Sequence, residues 1–548
     1  MAHALAGKPV QEQDIIDVQT IVDAYFDNVP DMTNPTQLVS FGTSGHRGTS
    51  VDGTFTDLHV AAITQAICDG RKQFGATGPI FVGQDTHALS QPALVTVLEV
   101  LAGNGVTAMV DCDMAFVPTP SVSRAIIRYN EEHDDKADGI IITPSHNPPD
   151  NGGIKYNTII GGPADTVVTK WIEMRANGYL TAYCESEDFK RISIDNIEPT
   201  AQVPYDYKGL YVEELGDVIN MEAIKAAGPK VLVDTLGGSG ASYWNAIKER
   251  YGLDLTIVHD DYDPTFSFMT YDHDGKVRMD CSSTYVMASV INRIGDFDLA
   301  VGNDPDYDRY GIVVSSGLIS ANTFLTLAAR YLFTTRGWKN KGVGKTVVCT
   351  TMIDKWAADA ETPVFEVPVG FKYFSQLLFD GAIGIGGEES AGASFLKKDG
   401  TVWTTDKDGM IMALLSMEIM AVMGKFALKM TDEFVEEFGN PSFGRIDAPC
   451  KKEQKQILKQ MSAELITATT VDGDPITNIR TTSLYNDMPI DGVRVETDKG
   501  WFVARPSGTE DLYKIYGESY KGDLGLVALL TAGEEIVNAA LNGTIETE

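Results

Sequence analysis

Short apolar runs followed by helical patterns recur along this chain, and that alternation constrains its fold more than any other feature. PIFVGQD (79–85) leads into PALVTVLEVLAGNG (92–105), and KVLVDT (230–235) into GASYWNAIKERYG (240–252). TVVCTT (346–351) leads into a further helix-like stretch. A run of four to eight apolar residues is strand-length, and a helix between two strands returns the chain to run parallel to the first. The expected class is therefore α/β with largely parallel sheets. A chain of 548 residues needs several such cores,. The polar stretch 195–209, with its two prolines, reads as a linker,. Further boundaries are expected near 317 and at 438–445. The four resulting domains are 1–204, 205–316, 317–440 and 441–548.

Each of the four carries one chemically unusual loop after a strand-like run. Ligands in open α/β sheets bind beyond the carboxyl ends of strands, so the four loops are candidates for one shared cleft. In FDLAVGNDPDYDRYGIVV (297–314), apolar runs flank Asp304, Asp306 and Asp308. Three carboxylates within about 4 Å repel by up to about 4 kcal/mol per pair at an effective dielectric near 20. A hard cation removes that cost, and an all-oxygen donor set favours Mg²⁺ over zinc. An EF-hand is excluded, because its sixth position would be Arg309 and its twelfth Ser315,. Arg309 adds a cation for phosphate oxygens.

ADGIIITPSHNPPDNGGIKYN (137–157) runs from a buried-looking strand into a loop stiffened by Pro144, Pro148 and Pro149, with Ser145 and His146 at the strand's end. Ser145 lacks the G-x-S-x-G elbow of hydrolases, which disfavours acyl transfer. Phosphoryl transfer needs a metal and cations more than a strong base. AIGIGGEESAGASF (382–395) presents Glu388, Glu389 and Ser390, acceptors suited to vicinal sugar hydroxyls. FVARPSGTEDLYKIYGES (502–519) gathers Arg505, Ser507, Gly508 and Thr509 into a phosphate nest,. FGTSGHRGTS (41–50) adds Arg47, and also His46, for which a packed histidine is the plainer reading,. Each loop alone also reads as an ordinary turn.

Composition narrows the partners. With 44 basic and 77 acidic residues the formal charge is −33. The chain as a whole therefore repels nucleic acid and anionic membranes, and an anionic substrate needs a local positive site. Six scattered cysteines without a C-x-x-C pair read as reduced thiols,. No secretory h-region and no 18-residue uncharged apolar stretch is visible. A cytoplasmic protein, monomer or homodimer, with a small-molecule substrate is expected.

FGTSGHR, TPSHNPP, NDPDYDR, GGEES and RPSGTE, in that order, span essentially the whole chain. Together they resemble the α-D-phosphohexomutase superfamily, most closely its bacterial-type phosphoglucomutase branch. The resemblance implies four domains around a central cleft. Three would be related mixed α/β domains, and the fourth a TATA-binding-protein-like α+β domain. It also implies a phosphoserine at Ser145 and one Mg²⁺ held by Asp304, Asp306, Asp308 and the seryl phosphate. Glu388 and Ser390 would hold sugar hydroxyls. Arg505, Ser507, Gly508 and Thr509 would hold the non-reacting phosphate. Lys372, in PVGFKYFSQLL (368–378), is the first candidate for general acid or base, with Lys155 and His146 behind it. Arg47 and His146 match phosphate-side residues. Pro305 and Tyr307 stand where many relatives have glycines, and GGEES differs from the G-E-M-S of phosphomannomutase-like members. The implied reaction is reversible interconversion of α-D-glucose 1-phosphate and D-glucose 6-phosphate through glucose 1,6-bisphosphate, with closure by the fourth domain hinged at 438–445. Mannose or glucosamine phosphates as substrates, a phosphatase, and a non-catalytic relative are the rival readings.

Overall fold

The computed structural model describes residues 2–42, 45–183, 189–424, 428–506 and 512–545. The chain forms two compact units: Met1–Ala321, Phe374–Gly381 and Ser390–Phe426 make the first, and Asn322–Tyr373, Ala382–Glu389 and Ala427–Glu548 the second.

The first unit contains two mixed sheets. One is built from β1 (His46–Thr49), β2 (Ile80–Gln84), β3 (Ala108–Asp111), β4 (Asp138–Ile142), β5 (Asn151–Asn157) and β6 (Gln202–Tyr205), in the order β1-β5-β4-β2-β3-β6. The pairs among β2, β3, β4 and β6 are parallel, whereas β5 runs antiparallel to both β4 and β1. β2 and β4 are buried on both faces, which is why they read as continuous apolar runs. On one face Val82, Ile140 and Ile142 pack with Val60, Ile63 and Ile67 of the helix Asp57–Gly70. On the other, Phe81 and Ile141 meet Val122 and Ile126 of the helix Thr119–Glu132.

The polar stretch 195–209, expected as a linker, instead supplies β6, paired along its length with β3. An edge strand has one unpaired side, so Pro204 costs it no ladder bond that it needs.

The second sheet comprises β7 (Val231–Asp234), β8 (Leu255–Val258), β9 (Leu299–Asn303), β10 (Tyr310–Val314) and β11 (Gly317–Leu318), in the order β11-β10-β9-β7-β8. β9 and β10 form an antiparallel hairpin closed by the pair Asn303–Tyr310, so residues 304–309 are its loop. The helix Gly409–Met423 is buried from Gly409 to Ile419 and packs on β9 and β10. Its sequence is apolar on all sides because it is covered on all sides.

In the second unit, β12 (Gly342–Thr346), β13 (Val364–Val367) and β14 (Ile383–Gly387) pair in parallel with β12 central. The strand expected at 346–351 lies earlier, at 342–346; Val347 and Val348 leave the strand and pack with Trp501 and Val503. β15 (Ala393–Phe395) falls in the first unit. The last sheet joins β16 (Ser442–Pro449), β17 (Thr470–Val471), β18 (Asp474–Thr482), β19 (Pro489–Thr497), β20 (Gly500–Pro506) and β21 (Leu512–Ser519) in the order β16-β21-β20-β19-β18-β17, with its pairs antiparallel.

The segment Gly522–Asn542 is long and apolar enough to cross a membrane by length and composition. In the structure its Leu526, Leu529, Leu530, Val537 and Leu541 pack into the core of this last sheet. Cys68, Cys112, Cys281, Cys349 and Cys450 are free thiols; Cys184 lies outside the described residues.

Candidate active site

Ser145 sits in the connection between β4 and β5, which are antiparallel neighbours. It is buried, and its backbone is left-handed at φ +59°. A left-handed, non-glycine residue persists where its surroundings over-determine it, and such residues cluster at functional sites. The loop closes tightly on β5: a Cβ at Gly153 would lie 2.2 Å from the Thr143 carbonyl oxygen, so that position requires glycine. Ser145 Oγ donates to Asp304 Oδ2 at 2.8 Å and lies 3.4 Å from His146 Nδ1.

The hairpin loop 304–309 is pinned by its backbone. The Pro305 carbonyl accepts from Ser239 N and Oγ, each at 2.8 Å. The Asp306 carbonyl accepts from Thr119 N at 3.0 Å, and the Tyr307 carbonyl from Gly409 N at 2.9 Å. A Cβ at Gly409 would fall 2.0 Å from the Arg309 carbonyl oxygen. That contact brings the start of the helix Gly409–Met423 against the loop. Asp408 caps this helix, accepting from Met410 N and Ile411 N.

Asp304, Asp306 and Asp308 are buried, and one carboxylate oxygen from each lies within 4.8 Å of the others. Asp306 Oδ2 accepts from Thr119 Oγ1 at 2.7 Å and from Lys155 Nζ at 2.6 Å. Asp308 Oδ2 accepts from Lys155 Nζ at 3.2 Å and is 2.8 Å from Lys407 Nζ. Asp304 Oδ1 accepts from Arg309 N at 3.0 Å. Asp306 Oδ1 and Asp308 Oδ1 are buried with no hydrogen-bond donor among the described residues. Burial, then the charges of Asp306 and Asp308, push the Asp304 carboxyl well above its ordinary pKa. An all-carboxylate set, with orphaned oxygens and a charge that resists full ionisation, fits a hard divalent cation.

Lys155 and Arg309 are held charged by this cluster. Burial alone would discharge Lys155, but Asp306 and Asp308 outweigh it and hold its pKa above an ordinary lysine's. Arg309 is half-buried, and its Nη1 lies 3.4 Å from Asp280 Oδ2. His146 is half-buried; desolvation first, then the charge of Arg309, push its imidazole pKa well below the ordinary value. Arg47 Nη1 donates to Asn147 Oδ1 at 3.4 Å, within the serine loop. Ser145, His146, Lys155, Arg47, Arg309 and the three aspartates are thus brought together. His46 is a packing residue: it stacks on His59 at 5.3 Å, and its Nε2 lies 2.9 Å from the Thr54 carbonyl oxygen.

The remaining candidates are distributed differently. Ser390 lies at the start of a first-unit segment, whereas Lys372, Glu388, Glu389 and Arg505 belong to the second unit. Lys372 opens the helix Lys372–Phe379 with its Nζ 5.5 Å from the Tyr373 ring centre. Glu388 is buried at the end of β14. Arg505, near the end of β20, has a buried Nε with no acceptor among the described residues. Ser507, Gly508 and Thr509 lie outside the described residues.

Sequence reasoning missed Lys407, Thr119 and Asp280. Lys407 comes from TTDKDG (404–409), where the only signal is a charged run placed directly before an apolar helix. Thr119 opens the helix Thr119–Glu132, and Asp280 stands in an irregular segment whose position beside Arg309 depends on tertiary structure.

Models of the phosphoglucomutase/phosphomannomutase family match in four parts: α/β/α domain I over 38–181, domain II over 210–317, domain III over 320–438 and the C-terminal domain over 447–524. A phosphoglucomutase of Komagataeibacter xylinus is 47% identical over 539 residues, covering 97% of each chain. Phosphoglucomutase 1 of Saccharomyces cerevisiae is 27% identical, covering 88% of each chain. Two solved structures share the fold. Parafusin from Paramecium, in an open form, superposes with a TM-score of 0.72 at 20% identity, over 94% of this chain and 96% of its own. A phosphomannomutase-like protein from Thermus thermophilus gives 0.71 at 23%, over 91% and 99%. With four domain models in order and a near-full-length relative at this identity, the chain belongs to the phosphoglucomutase/phosphomannomutase family.

Proposed function

We propose that this chain is a phosphoglucomutase, interconverting α-D-glucose 1-phosphate and D-glucose 6-phosphate by way of phospho-Ser145 and glucose 1,6-bisphosphate. The observation that carries the reading is Ser145 Oγ, 2.8 Å from Asp304 in a buried cluster of three carboxylates. The full-length likeness to a named phosphoglucomutase supports the choice of sugar.

Asp304, Asp306, Asp308 and a phosphoryl oxygen on Ser145 would hold one Mg²⁺, which supplies charge neutralisation at the transferring group. The chain's own residues do the rest. Ser145 carries the phosphoryl group, presented by a loop rigid enough to hold it in a left-handed backbone conformation. Arg309 and Arg47 offer guanidinium donors to phosphoryl oxygens. Lys155, held charged by Asp306 and Asp308, keeps a cation at the base of the site. Lys407 places a second ammonium 2.8 Å from Asp308 Oδ2. Lys372 is the first candidate to move a proton to or from the sugar hydroxyl, with Lys155 and His146 behind it. Glu388 and Ser390 would accept sugar hydroxyls, and Arg505 with Ser507, Gly508 and Thr509 would hold the far phosphate. Because the bisphosphate must turn round, this clamp has to accept the sugar in both orientations. The four-domain division at 204, 316 and 440, a cytoplasmic location and a monomer or homodimer belong to the same reading.

Turnover of glucose 1-phosphate, compared with mannose and glucosamine 1-phosphates, tests it. A clear preference for glucose is expected; a preference for mannose, or steady release of inorganic phosphate, would overturn the reading.

A further inference from the structure

Beneath the serine loop lies a buried polar network that the reaction as described leaves unused. Its centre is Asp85, just after β2, fully buried. Asp85 Oδ2 accepts from Thr143 Oγ1 at 2.6 Å and lies 2.8 Å from His87 Nδ1. Asp85 Oδ1 accepts from Ser90 Oγ at 2.6 Å and from His87 N at 3.0 Å. The network reaches the loop at two points. Thr143 Oγ1 accepts from Ser145 N at 2.7 Å, and His87 Nε2 lies 3.0 Å from the Asn147 carbonyl oxygen. Both ring nitrogens of His87 face acceptors, the Asp85 carboxylate and the Asn147 carbonyl, so both carry protons. Burial opposes ionisation of Asp85, but the contacts of His87, Ser90 and Thr143 together hold its carboxyl below the usual range.

The polarity of these contacts is forced. A carboxylate only accepts, so the Thr143 hydroxyl must spend its one proton on Asp85. Its lone pairs are then directed to Ser145 N. An imidazolium only donates, so His87 Nε2 must give its proton to the Asn147 carbonyl. The two contacts flank Ser145 and fix the backbone on both sides of a left-handed residue,.

We propose that Asp85, Thr143 and His87 are positioning residues for Ser145: Asp85 orients the Thr143 hydroxyl to capture the Ser145 amide, while His87 anchors the loop at Asn147. The proposal rests on Ser145 being the phosphoryl carrier. Its own content is that the carrier's aim is set from below, by groups that touch neither substrate nor metal. Asn147 extends the effect sideways, since its Oδ1 accepts from Arg47.

The test pairs Thr143→Val, which keeps the shape and removes the hydroxyl, with Thr143→Ser, which keeps the hydroxyl. We expect T143V to lower kcat at least about tenfold with KM within about twofold, because misaiming a reacting group by about 1 Å is enough for such losses. T143S should recover most of kcat. Hydrogen exchange of the peptide spanning 143–147 should be slow in the wild-type protein and in T143S, and fast in T143V. Equal kcat in T143V and wild type, or T143S as impaired as T143V, overturns the proposal. So does rapid exchange of this peptide in the wild-type protein, a readout that stands even where T143V does not fold. Ser145→Ala separates the two readings: an active S145A sinks the carrier assignment, whereas an inactive S145A with a fully active T143V sinks only the positioning network.

Discussion

Two clusters of acidic and histidine side chains in the first unit bring three ligand atoms within 4.8 Å: Asp304, Asp306 and Asp308, and Asp272, His273 and Asp274. By proximity they are equals. In the first, all three residues are buried and two carboxylate oxygens have no donor among the described residues. In the second, Asp272 accepts from Ser283 Oγ and His273 N, while Asp274 accepts from Lys276 N and Arg278 Nε. His273 and Asp274 face solvent. A carboxylate satisfied by its own loop gains little from an ion. A buried carboxylate facing two others cannot be left alone without cost. Unmet demand therefore separates a candidate metal site from an acidic turn.

The largest expected effect is at the residue the first cluster faces. Ser145→Ala should lower kcat/KM by at least about 10³-fold, the scale of losing a covalent nucleophile. Retained activity in a steady-state assay would remove Ser145 from the reaction.

Next, Asp306→Asn should abolish the rise in Tm that Mg²⁺ produces, while Asp274→Asn should leave it intact. Binding at a hundredfold excess over Kd adds about 2.7 kcal/mol, which a thermal scan resolves. An equal Mg²⁺ response in both variants would erase the distinction between the clusters.

Lys407→Met probes the same site from the side that the sequence did not reveal. Removing a cation 2.8 Å from Asp308 should cost kcat on the order of 10²-fold,. Steady-state kinetics with wild-type-like kcat would make Lys407 a structural contact only.

How much was readable follows burial and local pattern. β2, β4 and β9 are buried on both faces, so their apolar runs were plain. β6 was hidden because QVPY (202–205) is a polar edge strand containing proline. The aspartate loop was legible because its three carboxylates sit at alternate positions of one hairpin. Lys407 was not: it reaches Asp308 from 99 residues along the chain, through a cap at Asp408 and a close approach at Gly409 that no spacing encodes. Asp85 and His87 were hidden for the same reason, since their partners lie across β4.

The contrast between buried and exposed groups extends to histidine. Burial lowers the pKa of His46 to about 4 and of His59 to about 3, whereas His273 is exposed. A neutral buried histidine binds fewer protons folded than unfolded. Stability is therefore fully present above the unfolded pKa near 6.5 and is lost as pH falls toward 4,. His46 alone should account for about 3 kcal/mol of that loss. Urea denaturation of His46→Gln should show a flatter dependence between these limits; an unchanged slope would place His46 in solvent. The smallest effect should be His273→Gln, an exposed substitution expected to change stability by no more than about 0.5 kcal/mol in the same urea denaturation,.

The central claim is that Ser145 carries a phosphoryl group. Its most direct test is the intact mass of the protein before and after incubation with glucose 1,6-bisphosphate and Mg²⁺, with the site located by peptide mapping. The account predicts a dephosphorylated pool that gains one phosphoryl group on the peptide containing Ser145, and no gain in S145A. No gain in the wild-type protein, or a phosphoryl group located on any other residue, would contradict it.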